Sequence, residues 1–91
     1  MNLENDDEAR IVQKVIELAA QIGGVSPAQV TLESNFVNDL SYDSLEDVEL
    51  AMAIEDEFEI SIADEDLTQF KTVGDVVDHL LKRRPDSAGK R

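Results

Sequence analysis

Asp39-Leu40-Ser41-Tyr42-Asp43-Ser44-Leu45-Glu46 is the stretch around which this chain is organised. It is a loop that runs into a helix, with the hinge at Asp43-Ser44-Leu45. The strongest helical pattern of the sequence follows, from Leu45 to Phe58. Asp43 with Glu46 three residues on reads as an acidic capping box. Asp43 can accept from the first free N–H groups, and Glu46 can reach back. Ser44 then stands at the first helical position with its hydroxyl free. That end of a helix carries partial positive charge and unpaired N–H groups, so it is a good place to attach a phosphate.

The helix behind Ser44 has two apolar sides. At about 100° per residue, Leu50, Ala51, Ile54 and Phe58 fall together and form the core face. Leu45, Val48 and Met52 fall elsewhere, flanked by Glu49, Glu55 and Asp56. Periodicity alone fits burial on two sides equally well. The functional reading is a docking face, with apolar contact from Leu45, Val48 and Met52 and orientation of a basic partner by the carboxylates. Met52 suits a surface that must fit several partners. Asp47 falls within the core arc and is expected to escape to solvent or to help cap.

Before this helix, Ile11, Val15, Leu18 and Ile22 recur at helical spacing, with Val12 and Ala19 widening the stripe. Asp6 or Asp7 is the expected cap, and Gly23-Gly24 the stop. Ser26-Pro27-Ala28-Gln29 predicts one short capped turn. Val25, Val30, Leu32 and Phe36 then pin a long loop onto the bundle. After it, Glu59 to Ala63 reads as a loop with Ile62 inserted in the core. Asp64 is the expected cap of a short helix over Glu65–Phe70, with Leu67 and Phe70 inward. Thr72 with Asp75 caps the last helix, whose stripe is Val73, Val76, Val77, Leu80 and Leu81. Lys82-Arg83-Arg84 suits its negative end, and Pro85 stops it. The expectation is an all-α four-helix bundle, three main helices and one short, with a long loop between the first and second. The domain is expected over 8–84, with a flexible segment at 1–7 and a disordered polar tail at 85–91.

Composition narrows the function. A chain of 91 residues is one small domain. Without cysteine there is no disulfide, thiolate nucleophile or Cys-based metal site. No apolar run reaches membrane-span length, and the acidic start is unlike a signal peptide, so a cytoplasmic location is expected. The net charge is −13. Between Lys14 and Lys71 lie 14 acids and no Lys or Arg. That excludes nucleic acid as a partner and favours basic protein surfaces found by electrostatic steering. A merely solubilising surface is the commoner explanation of such charge in general.

Other chemistries fail on spacing. Asp64-Glu65-Asp66 and Glu55-Asp56-Glu57 lack the glycine and spaced oxygens of a calcium loop. Acids are too abundant for any pair to be singled out as hydrolytic. Nothing brings Ser44 to His79, which is expected to be exposed on the last helix. No Gly-rich phosphate loop is present.

The segment from Asp39 to Asp66, together with Phe36-Val37 before it and Thr72 to Leu81 after it, strongly resembles acyl carrier proteins. Asp-Ser-Leu alone is a weak motif. Embedded between Asp39-Leu40 and Val48-Glu49-Leu50 and Glu57-Phe58, it is highly specific. The resemblance implies that 4′-phosphopantetheine from coenzyme A esterifies Ser44, with Asp43 and Leu45 completing the site. The thiol of that arm would carry acyl chains as thioesters for fatty-acid or related synthesis. The implied partners are a phosphopantetheinyl transferase and acyl-chain synthase enzymes with basic docking patches. They would read Glu46, Val48, Glu49, Met52, Glu55 and Asp56 on a monomeric, non-catalytic carrier. The family's usual Gly, Asp and Pro are replaced here by Ser41, Glu46 and Ala63. Two other readings stand beside this one. One is a polyketide or aminoacyl carrier. The other is an unmodified structural subunit in which Ser44 only caps.

Overall fold

The computed structural model describes residues 3–83. They form four helices: α1 (Leu3–Gly23), α2 (Ser44–Phe58), α3 (Asp64–Leu67) and α4 (Val73–Arg83). No strand is present among the described residues, so the class is all-α. α1 packs against both α2 and α4. It starts upstream of Asp6 and Asp7, which are therefore helical residues and not caps. The tail at 85–91 lies outside the described residues.

Local chemistry sets the helix ends. α1 stops in a Schellman motif, with Gly24 at φ 72°, Val25 N–H on the Ala20 carbonyl (3.0 Å) and Gly24 N–H on that of Gln21 (3.3 Å). A single 3-10 turn at Pro27–Gln29 carries the expected box. Ser26 Oγ accepts from Ala28 N–H at 3.2 Å, and Gln29 Oε1 accepts from Ser26 N–H at 3.1 Å. At α4, Thr72 Oγ1 accepts from Asp75 N–H (3.2 Å), while Asp75 Oδ2 accepts from the N–H groups of Lys71 (2.9 Å) and Thr72 (3.1 Å). These two backbone donors hold the Asp75 carboxyl below its ordinary pKa. The short helix differs from expectation. Its cap position is Ala63, with no side-chain bond, and Asp64 is already helical. The helix ends at Leu67, so Phe70 belongs to the following turn.

The core is aliphatic, with Val15, Ile54, Val73 and Val76 almost fully enclosed. Leu50, Ala51, Ile62, Val77 and Leu80 are buried with them, and Phe58 and Phe70 pack at its edge half-buried. The long loop is held by both packing and hydrogen bonds. Val30, Phe36, Leu40 and Tyr42 are buried, whereas Leu32 lies on the surface. An isolated bridge joins Asn35 to Thr72, with Phe36 N–H on the Lys71 carbonyl and Val73 N–H on that of Ser34, both 3.0 Å. The loop thus runs alongside the start of α4 and satisfies its backbone there. His79 also departs from expectation. It is half-buried, its ring sits edge-on to Phe70 (centroids 5.3 Å), and its Nε2 is buried without a partner among the described residues.

Among the described residues, two other than glycine take left-handed backbone, Ser41 (φ 59°) and Glu59 (φ 57°). For an L-residue this conformation costs about 1–2 kcal/mol. Glycine has no such cost but loses about 0.5–1 kcal/mol more chain entropy on folding. Ser41→Gly should therefore stabilise the domain by up to about 1.5 kcal/mol, raising Tm by about 6–12 °C at the upper limit. Thermal unfolding by circular dichroism measures this, and a lowered Tm would show that the loop does not hold Ser41 under strain.

Candidate functional site

The start of α2 is built by the capping box. Asp43 is extended at the cap position, and its Oδ1 accepts from Glu46 N–H at 2.9 Å. Glu46 Oε1 returns the contact by accepting from Asp43 N–H at 3.0 Å. Ser44 is the first helical residue and is exposed, as is Leu45 beside it. The N–H groups of Ser44 and Leu45 have no intrahelical acceptor, so an anion near the Ser44 hydroxyl meets the positive end of the helix.

The loop leading into this turn is anchored from below. The Tyr42 hydroxyl donates to the Ala19 carbonyl of α1 at 2.7 Å, and Tyr42 N–H donates to the Phe36 carbonyl at 2.8 Å. Its ring stacks at a tilt on Phe36 with centroids 5.1 Å apart. A Cβ built on Gly23 would stand 3.2 Å from the Tyr42 ring, so the end of α1 leaves room for it. Burial, with the carboxylates of Glu46, Asp47 and Glu49 nearby, pushes the Tyr42 phenol well above its usual pKa, so it stays a donor. Upstream, Asn35 Oδ1 accepts from Val37 N–H (3.0 Å) and Asn38 N–H (2.9 Å), and Asp39 Oδ2 accepts from Asn35 N–H (2.7 Å). Ser44 is therefore displayed on a fixed mount. Sequence reading missed Tyr42 and Leu40 as anchors. The one available signal was that Tyr42 is the only tyrosine and needs a partner for its hydroxyl when buried.

The second face of α2 points outward. Leu45, Val48 and Met52 are 69%, 46% and 61% exposed, too much for burial on two sides. Glu49 and Asp56 are exposed beside them. Glu46 is half-buried by its part in the box. Glu55 is also half-buried, and its Oε2 accepts from Ile62 N–H at 2.7 Å, so it braces the loop after α2. On the opposite side of the helix, Leu50, Ala51 and Ile54 wall a small cavity closed by Phe36, Leu67, Phe70 and Val76. Its volume of about 20 Å³ holds no more than one water-sized occupant. Asp47 leaves the core in the first turn, as expected, and stands exposed at the rim of this cavity.

Comparison with known proteins agrees with this geometry. A family profile described as "Phosphopantetheine attachment site" matches residues 13–80. The acyl carrier protein of Clostridium perfringens is 49% identical over 69 residues, which cover 76% of this chain and 91% of that protein. The meromycolate extension acyl carrier proteins of Mycobacterium leprae and Mycobacterium tuberculosis are 40% identical over 75 residues, or 82% of this chain. The chain spans 65% of the length of these mycobacterial relatives. A bundle with an exposed serine at a capped helix start thus falls within the phosphopantetheine-carrying domains. Among these, the chain belongs to the acyl carrier protein family. No described helix is long and apolar enough to cross a membrane.

Proposed function

We propose that Ser44 is the attachment residue and that the chain carries acyl groups as thioesters between enzymes of fatty-acid or related acyl-chain synthesis. The observation that carries this reading is the exposed Ser44 hydroxyl at the first position of α2, with its cap supplied by Asp43 and not by itself. When bound, phosphopantetheine supplies a thiol for thioester exchange. The chain's own residues supply the rest. Ser44 Oγ offers the nucleophile, loses its proton and forms the phosphodiester, with the nucleotide half of coenzyme A as leaving group. The open N–H groups of the first turn favour the resulting anion. Leu45, Val48 and Met52 give a partner enzyme an apolar contact framed by Glu49 and Asp56, which suits a basic docking patch. Glu46 and Glu55 support that face from their structural positions. The chain is a carrier and its partners do the catalysis.

The cavity behind α2 is the proposed berth for the start of an acyl chain. At its present volume it admits a chain only if its walls part. The wall to give way is α3, a single turn with no side-chain cap. A polyketide or aminoacyl cargo would use the same serine and differ only in partners. The unmodified-subunit reading is disfavoured because Ser44 has no capping duty to explain it. Incubating the protein with coenzyme A and a phosphopantetheinyl transferase should add one prosthetic group, read as a single increment in intact mass. No increment with several competent transferases would leave the structural-subunit reading.

A further inference from the structure

The cavity behind α2 is apolar except at one place. Among the described residues, Asp47 is the one ionisable residue on its wall, in the first turn of α2. An open groove adjoins the cavity, and the two share Phe36, Asp47, Leu67 and Phe70. Those four residues therefore form the threshold between groove and cavity. A chain that enters from the groove and ends among Leu50, Ile54 and Val76 crosses it. Its thioester end, the last part to enter, comes to rest closest to the threshold.

A carboxylate at such a threshold is selective. Hydrocarbon laid against it strips its water and offers no hydrogen bond in return, which is costly for a charged group. A hydroxyl near the thioester would instead donate to it, a charge-assisted bond that offsets the lost water. The surroundings already oppose the charge. Burial, followed by the carboxylates of Asp43 and Glu46, raises the Asp47 pKa above its ordinary value. Further desolvation by an alkyl chain acts in the same direction.

We propose that Asp47 is a specificity-determining residue that makes this carrier hold acyl groups bearing a hydroxyl near the thioester in preference to plain saturated ones. This rests on the reading of the cavity as the acyl berth. Asp47 also stands apart from the outward strip of Leu45, Val48 and Met52, so its effect belongs to the cargo and not to docking.

The test loads the wild-type protein, Asp47→Asn and Asp47→Leu with octanoyl- or 3-hydroxyoctanoyl-phosphopantetheine. Intact mass confirms each loading, so attachment at Ser44 is settled before any unfolding is measured. Tm is then compared with that of the same protein carrying the bare arm, since a group bound only in the fold stabilises it. In the wild type the hydroxylated chain should raise Tm more than the saturated one. In Asp47→Asn and Asp47→Leu the increment from octanoyl should grow by about 4–8 °C, the shift that about 1 kcal/mol gives a domain of this size. Asp47→Leu should lose the preference for the hydroxyl altogether. Equal octanoyl increments in all three proteins would overturn the assignment of Asp47 while leaving the cavity as the berth. No increment from either chain in any loaded protein would overturn the berth, and the role of Asp47 with it.

Discussion

Ser44→Ala should abolish loading by coenzyme A completely while leaving the fold unchanged. The two halves of this prediction have separate causes. Loading needs an oxygen nucleophile at that position, and no other hydroxyl stands at the start of α2. Ser61, Thr68 and Thr72 lie far along the chain, and Ser41 precedes the cap in strained backbone. Stability does not need the Ser44 hydroxyl, because Asp43 accepts from Glu46 N–H and Glu46 returns the bond. Alanine is the best helix former, and exposed substitutions usually change stability by less than about 0.5 kcal/mol. Asp43→Ala is the informative contrast. It keeps the serine but removes the cap, at a cost of about 0.5–2 kcal/mol, and frays the turn that displays Ser44. Intact mass after incubation with transferase reads the first effect, and thermal unfolding reads the second. A mass increment that survives in Ser44→Ala would place the attachment elsewhere. A large fall in Tm in that variant would show that Ser44 does hold the turn.

That Asp43 and not Ser44 caps α2 was legible in the sequence because it is local. The boxes at Ser26–Gln29, Asp43–Glu46 and Thr72–Asp75 each span four residues, and each closes as its spacing predicts. The outward strip on α2 was legible as a possibility. Its exposure was not, since periodicity does not say how many neighbours a helix has. What escaped reading is what distance along the chain conceals. The Tyr42–Ala19 bond joins residues 23 apart, and no local pattern announces it. Glu55 turns from the surface because the Ile62 N–H, in the loop after α2, needs an acceptor. His79 lies off the apolar stripe of α4, and Phe70 covers it from a neighbouring turn. The early start of α1 and the shift of the α3 cap to Ala63 show the ordinary imprecision of helix ends.

Reversing Glu49 and Asp56 to Lys should slow transfer of the prosthetic group to Ser44 and flatten its dependence on salt. Both carboxylates are exposed on α2 beside an apolar strip, and no base lies between Lys14 and Lys71 in sequence. A basic patch on a partner is attracted over a range set by screening, about 8 Å at physiological ionic strength. Each exposed ion pair contributes only about 0–1 kcal/mol, so the carboxylates act together and chiefly on the encounter rate. Steering of this kind raises association about 10- to 1000-fold, so the double reversal should cost at least about tenfold at low salt. Met52 acts on a different quantity. At 61% exposure it is free to be desolvated by the partner, and such contacts govern how long a complex lasts. Met52→Ala should therefore speed dissociation and leave the slope against salt as it was. Glu55 does not belong in the reversal, because its bond to Ile62 N–H would be lost and the fold disturbed. Stopped-flow transfer kinetics over a range of salt, with folding checked by circular dichroism, separate the two effects. Unchanged kinetics at low salt in a folded double variant would mean that partners dock elsewhere. The acidic run would then be a solvating surface, and the exposed Leu45, Val48 and Met52 would need another explanation.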